Sequence, residues 1–337
     1  MPADTELLGI SNAIVDVLAH VEPGFISDIG ATVGAMNLID EERARMIYER
    51  MGPATEISGG SVANTVAGFA TLGGKAAYIG HVRADQLGEI FNHDMRSLGV
   101  DIRLEPAEDG APTARSYILI TPDGQRTMNT YLGSCTEIAL ADVTPGTIGR
   151  PRILLLEGYV WDIAEGPALA ARAMEIASRA GATVALSLSD AWCVERHRES
   201  FQAAVRDSVD IVIANESEIV ALQGVSRFED AETDVAQYGG TFVLTRSEQG
   251  SVIVSGDERV VQPAIAVSKV VDTTGAGDAY SAGFLYGWAS EWTLADCAKL
   301  ATYCASQVIR QVGARIPPGL LESYGAAASS SGTMPSG

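Results

Sequence analysis

Positive charge is scarce in this chain. Its 337 residues carry 23 lysines and arginines against 43 aspartates and glutamates, a net charge of −20 with a pI near 4.5. A fold-wide basic footprint for nucleic acid is therefore missing, and the acidity serves solubility. Cysteine is sparse too. Cys135, Cys193, Cys297 and Cys304 show no CxxC spacing, which argues against zinc ribbons and a disulfide frame and reads as reduced, mostly buried thiols of a cytoplasmic protein. No window approaches about 18 uninterrupted apolar residues, so no membrane span is expected. Asp4 and Glu6 stand before the first apolar run, unlike a signal peptide. There is no GxxxxGK[ST] loop, which argues against a P-loop enzyme. No GxGxxG follows the first strand, which argues against a dinucleotide fold.

Hydrophobic residues make up 47% of the chain and charged ones 20%, enough apolar material for one large α/β domain or two ordinary ones. The 35 glycines suit the tight corners of an open α/β sheet. Buried strands are predicted in LLGISNAIVDVLAHV (7–21), KAAYIGHV (75–82), RILLLEGYV (152–160), ATVALSLS (182–189), VDIVIANE (209–216), GTFVLTR (240–246) and GSVIVS (250–255). Helical spacing of apolar residues recurs in 167–181, 230–239 and 293–313. Strands alternating with helices predict a mostly parallel sheet covered on both faces. Ligands bind such sheets at the carboxyl ends of the strands.

Two stretches break the alternation. Residues 15–39 show no clear helix, and 112–133 reads as a hairpin around Pro122-Asp123-Gly124. The two insertions predict a small second sheet, either a lid over the strand ends or an extension of the main sheet. The expected division is 1–14, 40–108 and 134–324 for the large unit, 15–39 and 109–133 for the lid, and a disordered tail at 325–337.

The chemistry gathers at VVDTTGAGDAYSAGFLYGW (270–288), a strand-like pair running into a glycine corner and a helix of small residues. A helix start presents unpaired N–H groups and the positive end of a dipole. Gly275-Ala276-Gly277 lets backbone approach an anion closely, and Asp278 falls in the first turn. That combination suits phosphoryl transfer, with Asp278 accepting a hydroxyl proton. GAGD alone would equally suit a capped helix start. A second corner, SGGSVANTVAGFATLGG (58–74), puts Ser61 and Asn64 beside Gly59-Gly60, with donors and acceptors for vicinal sugar hydroxyls. IANESE (213–218) ends a strand with Asn215, Glu216 and Glu218. Acidic groups there fit Mg²⁺ held through water, or a charged solvated turn.

GGSVANT and DTTGAGDAYSAGF, in that order, resemble the two signatures of the ribokinase/PfkB family of carbohydrate and nucleoside kinases, from about residue 7 to about 318. The resemblance implies a ribokinase-like α/β fold with a small β lid, and an ATP- and Mg²⁺-dependent kinase. It makes Asp278 the catalytic base and Gly275, Ala276 and Gly277 the anion hole. Asn215 and Glu218 become the NxxE pair near Mg²⁺, and Thr245 and Gly250 the nucleotide lining. Arg126 becomes the lid arginine on the transferring phosphates, and Asp272 and Thr274 the ligands of a monovalent cation, K⁺. Within the family the chain resembles the adenosine kinase branch in its opening GISNAIVDVLAHV and its closing VIRQVGARIP. Asn12, Asp16 and Met36 are then substrate contacts with Gly59, Gly60, Ser61 and Asn64, and Asp16 holds the ribose 2′- and 3′-hydroxyls. Val160 and Trp161 stand where that branch presents a phenylalanine to the base, so the aromatic face is expected from Tyr159, Trp161 and Trp192. The implied activity is phosphorylation of a purine nucleoside at its 5′-hydroxyl, adenosine to AMP, a purine salvage step. The alternatives are a sugar kinase acting on ribose, fructose or a keto-deoxy acid, a guanosine or inosine kinase, and a non-catalytic binding relative. Intact Asp278 argues against the last. Monomer and homodimer both remain open.

Overall fold

A computed structural model describes residues 4–331. Nine strands form the large sheet, in the order 258–262, 251–255, 241–245, 211–215, 183–187, 151–157, 5–10, 76–79 and 101–102. The seven from 241–245 to 101–102 are parallel, and the two at the other end turn back antiparallel. The continuous apolar runs follow from burial on both faces. Leu154 and Leu156 enter one core layer while Ile153 and Leu155 enter the other, the two-residue alternation of a strand.

Five strands form a small sheet, ordered 36–38, 126–131, 114–120, 14–20 and 54–59. The expected hairpin is there: 114–120 and 126–131 pair antiparallel, with Ile120 opposite Arg126. The expected boundaries are corrected in three places. Ala54–Gly59 pairs with Ile14–His20 in the small sheet rather than the large unit. Pro23–Asp28 is a short helix inside the stretch expected to hold none, started by a proline at its first position. Leu320–Ser331 is helical where a disordered tail was expected, and the rest of that tail, 332–337, lies outside the described residues.

Small residues set how closely the motif helices pack. A side-chain carbon at Gly68, on helix Ser61–Thr71, would lie 2.9 Å from Ala282 Cβ on helix Ala276–Ala289. One at Gly283 would lie 2.8 Å from Ala301 Cα on helix Leu294–Val308. The glycines thus let three helices approach, and the two signature segments come side by side. No helix of the described residues is long and apolar enough to cross a membrane.

Candidate active site

The two signature helices meet at Asp278. Ser61 Oγ donates to its Oδ1 at 2.7 Å, and Asn64 Nδ2 donates to its Oδ2 at 3.0 Å. Ser61 and Asn64, expected on the substrate, are therefore engaged with the carboxylate. Asn64 also lines the adjoining cavity. Burial raises the pKa of Asp278, against the two hydrogen bonds and the charge of Arg315. The helix dipole favours ionisation, but desolvation outweighs it here.

That cavity, of about 240 Å³, lies between the small sheet and the Thr274 and 312–315 segments. Its polar lining includes Asp16, Asn64, Arg126, Thr274 and Arg315. Its apolar lining is aliphatic: Leu18, Ile57, Ile118, Ile120 and Val312. Burial pushes the Asp16 carboxyl up to about 7, while Arg315 and Arg126 pull it down and Asp278 adds to the rise. Gly59 makes room for it, since a Cβ there would sit 2.3 Å from Asp16 Oδ2. Gly60, at φ +96°, passes so close to the Asn12 carbonyl that a Cβ would lie 2.6 Å from its oxygen. The two glycines thus let the Asp16 carboxylate and the Asn12 carbonyl pack against this corner.

A second cavity, of about 590 Å³, opens on the other side of the glycine corner. Thr245, Gly250, Thr273, Ala276, Gly277 and Tyr280 are among its lining residues. Thr274 faces the first cavity while Thr273, Ala276 and Gly277 face the second, so one short loop separates them. Gly275 takes a left-handed φ of +74°, and a Cβ on it would meet Ala314 Cβ at 2.3 Å. A Cβ on Gly277 would meet nothing within 4 Å. Helix geometry leaves the Gly277 and Asp278 N–H groups without intrahelical acceptors. An anion at the partition therefore has open space and donors.

Asn215 and Glu218 form a reciprocal helix cap. Glu218 Oε2 accepts from the Asn215 N–H at 2.9 Å and its Oε1 from Asn215 Nδ2 at 2.6 Å. Burial pushes Glu218 up to about 7. With both oxygens engaged, the pair fits a metal held through water better than a direct carboxylate ligand.

The side-chain oxygens expected on a monovalent cation have protein partners. Asp272 Oδ1 accepts from the Thr274 N–H at 2.9 Å, and its Oδ2 from the Gly313 N–H at 2.8 Å. Arg126 Nη1 lies 2.7 Å from the same Oδ2 and 3.4 Å from Thr274 Oγ1. A guanidinium thus meets the side-chain oxygens of both residues expected on K⁺. Arg126, expected on the transferring phosphates, is paired with Asp272 and lines the first cavity beside Thr274.

The aromatic expectation is corrected as well. Trp161 is 2% exposed, stacks on Phe201 at 4.6 Å and donates Nε1–H to Ser200 at 2.9 Å. It belongs to the core. Trp192 is 72% exposed at the start of helix Ala191–Asp207, and Tyr159 packs at the edge of the core. Met36 lies on an edge strand, 47% exposed. None of the four lines the Asp16 cavity. Asn12 is buried behind it, with its N–H on Glu157 at 2.9 Å and its Oδ1 without a partner.

Two residues went unread in the sequence. Glu157 closes strand Pro151–Glu157 and is 1% exposed. It accepts from the Asn12 and Val62 N–H groups at 2.9 and 3.2 Å, tying the first strand to the helix that carries Ser61. Burial pushes it up to about 7. A single acid ending the run RILLL was the available signal. Arg315 lies inside the quoted VIRQVGARIP, where a cation directly after Gly313-Ala314 was the signal.

Comparison with known proteins agrees with this geometry. The pattern of the pfkB family carbohydrate kinases matches residues 28–319. A probable sugar kinase protein from Rhizobium etli CFN 42 is 44% identical, with a TM-score of 0.89 over 99% of this chain and all of that one. An adenosine kinase from Sinorhizobium meliloti is 45% identical, with a TM-score of 0.89 over 97% of this chain and all of that one. Fructokinase-1 of Oryza sativa subsp. japonica is 32% identical, over 67% of this chain and 72% of its own length. The signature helices, the two cavities and these likenesses together place the chain in the PfkB family of kinases, which transfer phosphate to a hydroxyl group of a sugar or nucleoside.

Proposed function

We propose that this chain phosphorylates the 5′-hydroxyl of a purine nucleoside, adenosine first, with ATP as donor. The observation that carries the reading is the Asp16 cavity. Its carboxylate suits a vicinal diol, and its wall of Leu18, Ile57, Ile118, Ile120 and Val312 offers an apolar face that a free sugar would leave unfilled. The likeness to the Sinorhizobium meliloti adenosine kinase supports it. The base then rests on aliphatic side chains instead of the aromatic face expected from sequence.

In this reading the nucleoside takes the first cavity and ATP the second, so the transferred group passes through the partition at Thr273–Gly277. Asp278 accepts the hydroxyl proton while Ser61 and Asn64 fix the direction of its oxygens. Burial raises the pKa of Asp278 above that of an ordinary carboxylate, which makes it a stronger proton acceptor than an exposed one. N–H groups at the helix start stabilise charge on the phosphoryl oxygens. Mg²⁺, when bound with ATP, neutralises charge on the phosphates, and Asn215 and Glu218 would hold it through water.

A free sugar is the second reading, favoured by the likeness to fructokinase-1 and the probable sugar kinase. A coupled ATP-consumption assay against adenosine, guanosine, inosine, ribose and fructose separates the two. Adenosine should give the highest kcat/KM, and 2′-deoxyadenosine should lose roughly one to two decades, the worth of a charge-assisted hydrogen bond to Asp16. A higher kcat/KM for ribose or fructose than for every nucleoside would reject the nucleoside reading.

A further inference from the structure

Arg315 has no part in the chemistry above. It follows helix Leu294–Val308, and its side chain lines the substrate cavity with Asp16 and Asn64. One nitrogen, Nη2, donates to both Ser58 O at 2.5 Å and Ser58 Oγ at 2.6 Å. The Ser58 N–H donates in turn to Asp94 Oδ2 at 2.9 Å. The strand that carries Ile57 and Gly59 is thus held from two sides.

The other nitrogen, Nη1, is shut off from solvent and meets no acceptor. A guanidinium carries five N–H donors, and a buried charged donor left unpaired is costly. Arg315 shares the cavity lining with Asp16 and with Asn64, whose amide donates to Asp278, and its charge acts on both carboxylates. If Asp16 holds the diol and Asp278 faces the primary hydroxyl, the acceptors left between them on a furanose are the ring oxygen and the 3′-oxygen.

We propose that Arg315, whose side chain lines the cavity with Asp16 and Asn64, is a substrate-recognition residue whose Nη1 turns to donate to a furanose oxygen, the ring oxygen or the 3′-oxygen. The inference rests on the sugar or nucleoside kinase reading and holds for either substrate class. The planar fork of arginine makes it possible: one nitrogen holds the protein and the other the sugar, which the point charge of lysine cannot match.

The test is a cycle of kcat/KM values for the wild type, Arg315→Lys and Arg315→Met. The substrates are adenosine, its carbocyclic analogue lacking the ring oxygen, and 3′-deoxyadenosine. The wild type should prefer adenosine over one of the analogues by roughly 10- to 100-fold. Both variants should lose most of the preference over the carbocyclic analogue if the ring oxygen is the acceptor; for 3′-deoxyadenosine the Asp16 share of the preference stays, and only the share lost on replacing Arg315 points to the 3′-oxygen. Thermal unfolding checks that each variant folds. Arg315→Lys keeps the charge and can still reach Ser58, so the cycle stands even if Arg315→Met does not fold. Equal losses on all three substrates would mean that Arg315 only holds the strand, and would overturn the inference while leaving the kinase reading intact. If a free furanose proves to be the substrate, its carbocyclic and deoxy analogues run the same cycle. A wild type that phosphorylates no sugar or nucleoside rejects both.

Discussion

The Arg126 guanidinium lies 2.7 Å from Asp272 Oδ2 and joins the small sheet to the loop that enters the anion-binding helix. Asp272 is almost wholly buried, so the pair is made largely out of water, where breaking one side leaves an uncompensated charge. Arg126→Ala should therefore lower kcat more than it weakens substrate binding, because it loosens the loop beside the phosphate path. Wild-type turnover in potassium-free buffer should stay within about twofold of turnover at saturating K⁺, since an arginine already meets the side-chain oxygens of Asp272 and Thr274. Stimulation of the wild type by an order of magnitude would show that Arg126 yields its place to the ion.

Asp278→Asn should keep the fold and the affinity for substrate but lose roughly 10²–10⁴-fold in kcat. The asparagine preserves shape, and one of its groups can still meet Ser61 or Asn64. Steady-state kinetics with a parallel binding isotherm decide the matter. A variant with near-normal kcat would remove Asp278 from the chemistry.

Three acidic groups, Asp16, Glu157 and Glu218, are pushed by burial to about 7 from ordinary values of 3.8, 4.5 and 4.5. Each binds a proton more tightly in the folded chain than in the unfolded one. Stability from these groups is fully present below about pH 4 and is lost as pH rises toward and through 7. Melting of the ligand-free protein should accordingly show Tm falling between about pH 5.5 and 8 at constant ionic strength. Diol binding needs ionised Asp16, so substrate affinity should rise over the same interval. Asp16→Asn should flatten both curves in part. A wild-type Tm that climbs steadily to pH 8 would contradict the raised values.

Gly59→Ala places a methyl where Asp16 Oδ2 now lies, 2.3 Å away. The carboxylate must move, so KM for the substrate should rise at least tenfold while kcat falls less. Expression and Tm should change little, because the displaced group borders a cavity rather than the core. Unchanged KM would show that Asp16 has a second position of equal use.

Much of this was legible in the sequence, for identifiable reasons. The large-sheet strands were visible because burial on both faces leaves unbroken apolar runs such as RILLL and DIVIA. The glycine corners were visible because left-handed backbone and close helix contact both demand glycine, as at Gly275 and Gly68. What stayed hidden was partnership. Nothing in one dimension shows that Asp278 lies beside Ser61 and Asn64 and accepts from both. Asp272 and Arg126 are 146 positions apart by their numbering, and only the fold reveals that they neutralise each other. Trp161 was read as a ligand face because an aromatic after a strand end looks the same whether it turns outward or packs on Phe201. Ala54–Gly59 was assigned to the wrong sheet because its pairing with Ile14–His20 is made far along the chain.

Strand Ala54–Gly59 runs into helix Ser61–Thr71 through the single residue Gly60. The stretch that positions Asp16 and the stretch that holds Asp278 are therefore one piece of chain with no slack between them. The hairpin strands 114–120 and 126–131 supply Ile118 and Ile120 to the same cavity, while the side-chain hydrogen bonds to Asp278 come from Ser61 and Asn64. Heritable change thus has two very different costs at this site. Substitutions at Ile118 and Ile120 reshape what is recognised and leave the reacting groups alone, whereas a one-residue insertion at Gly60 would disturb both together. A scaffold divided in this way can change its diet within a lineage while keeping its chemistry.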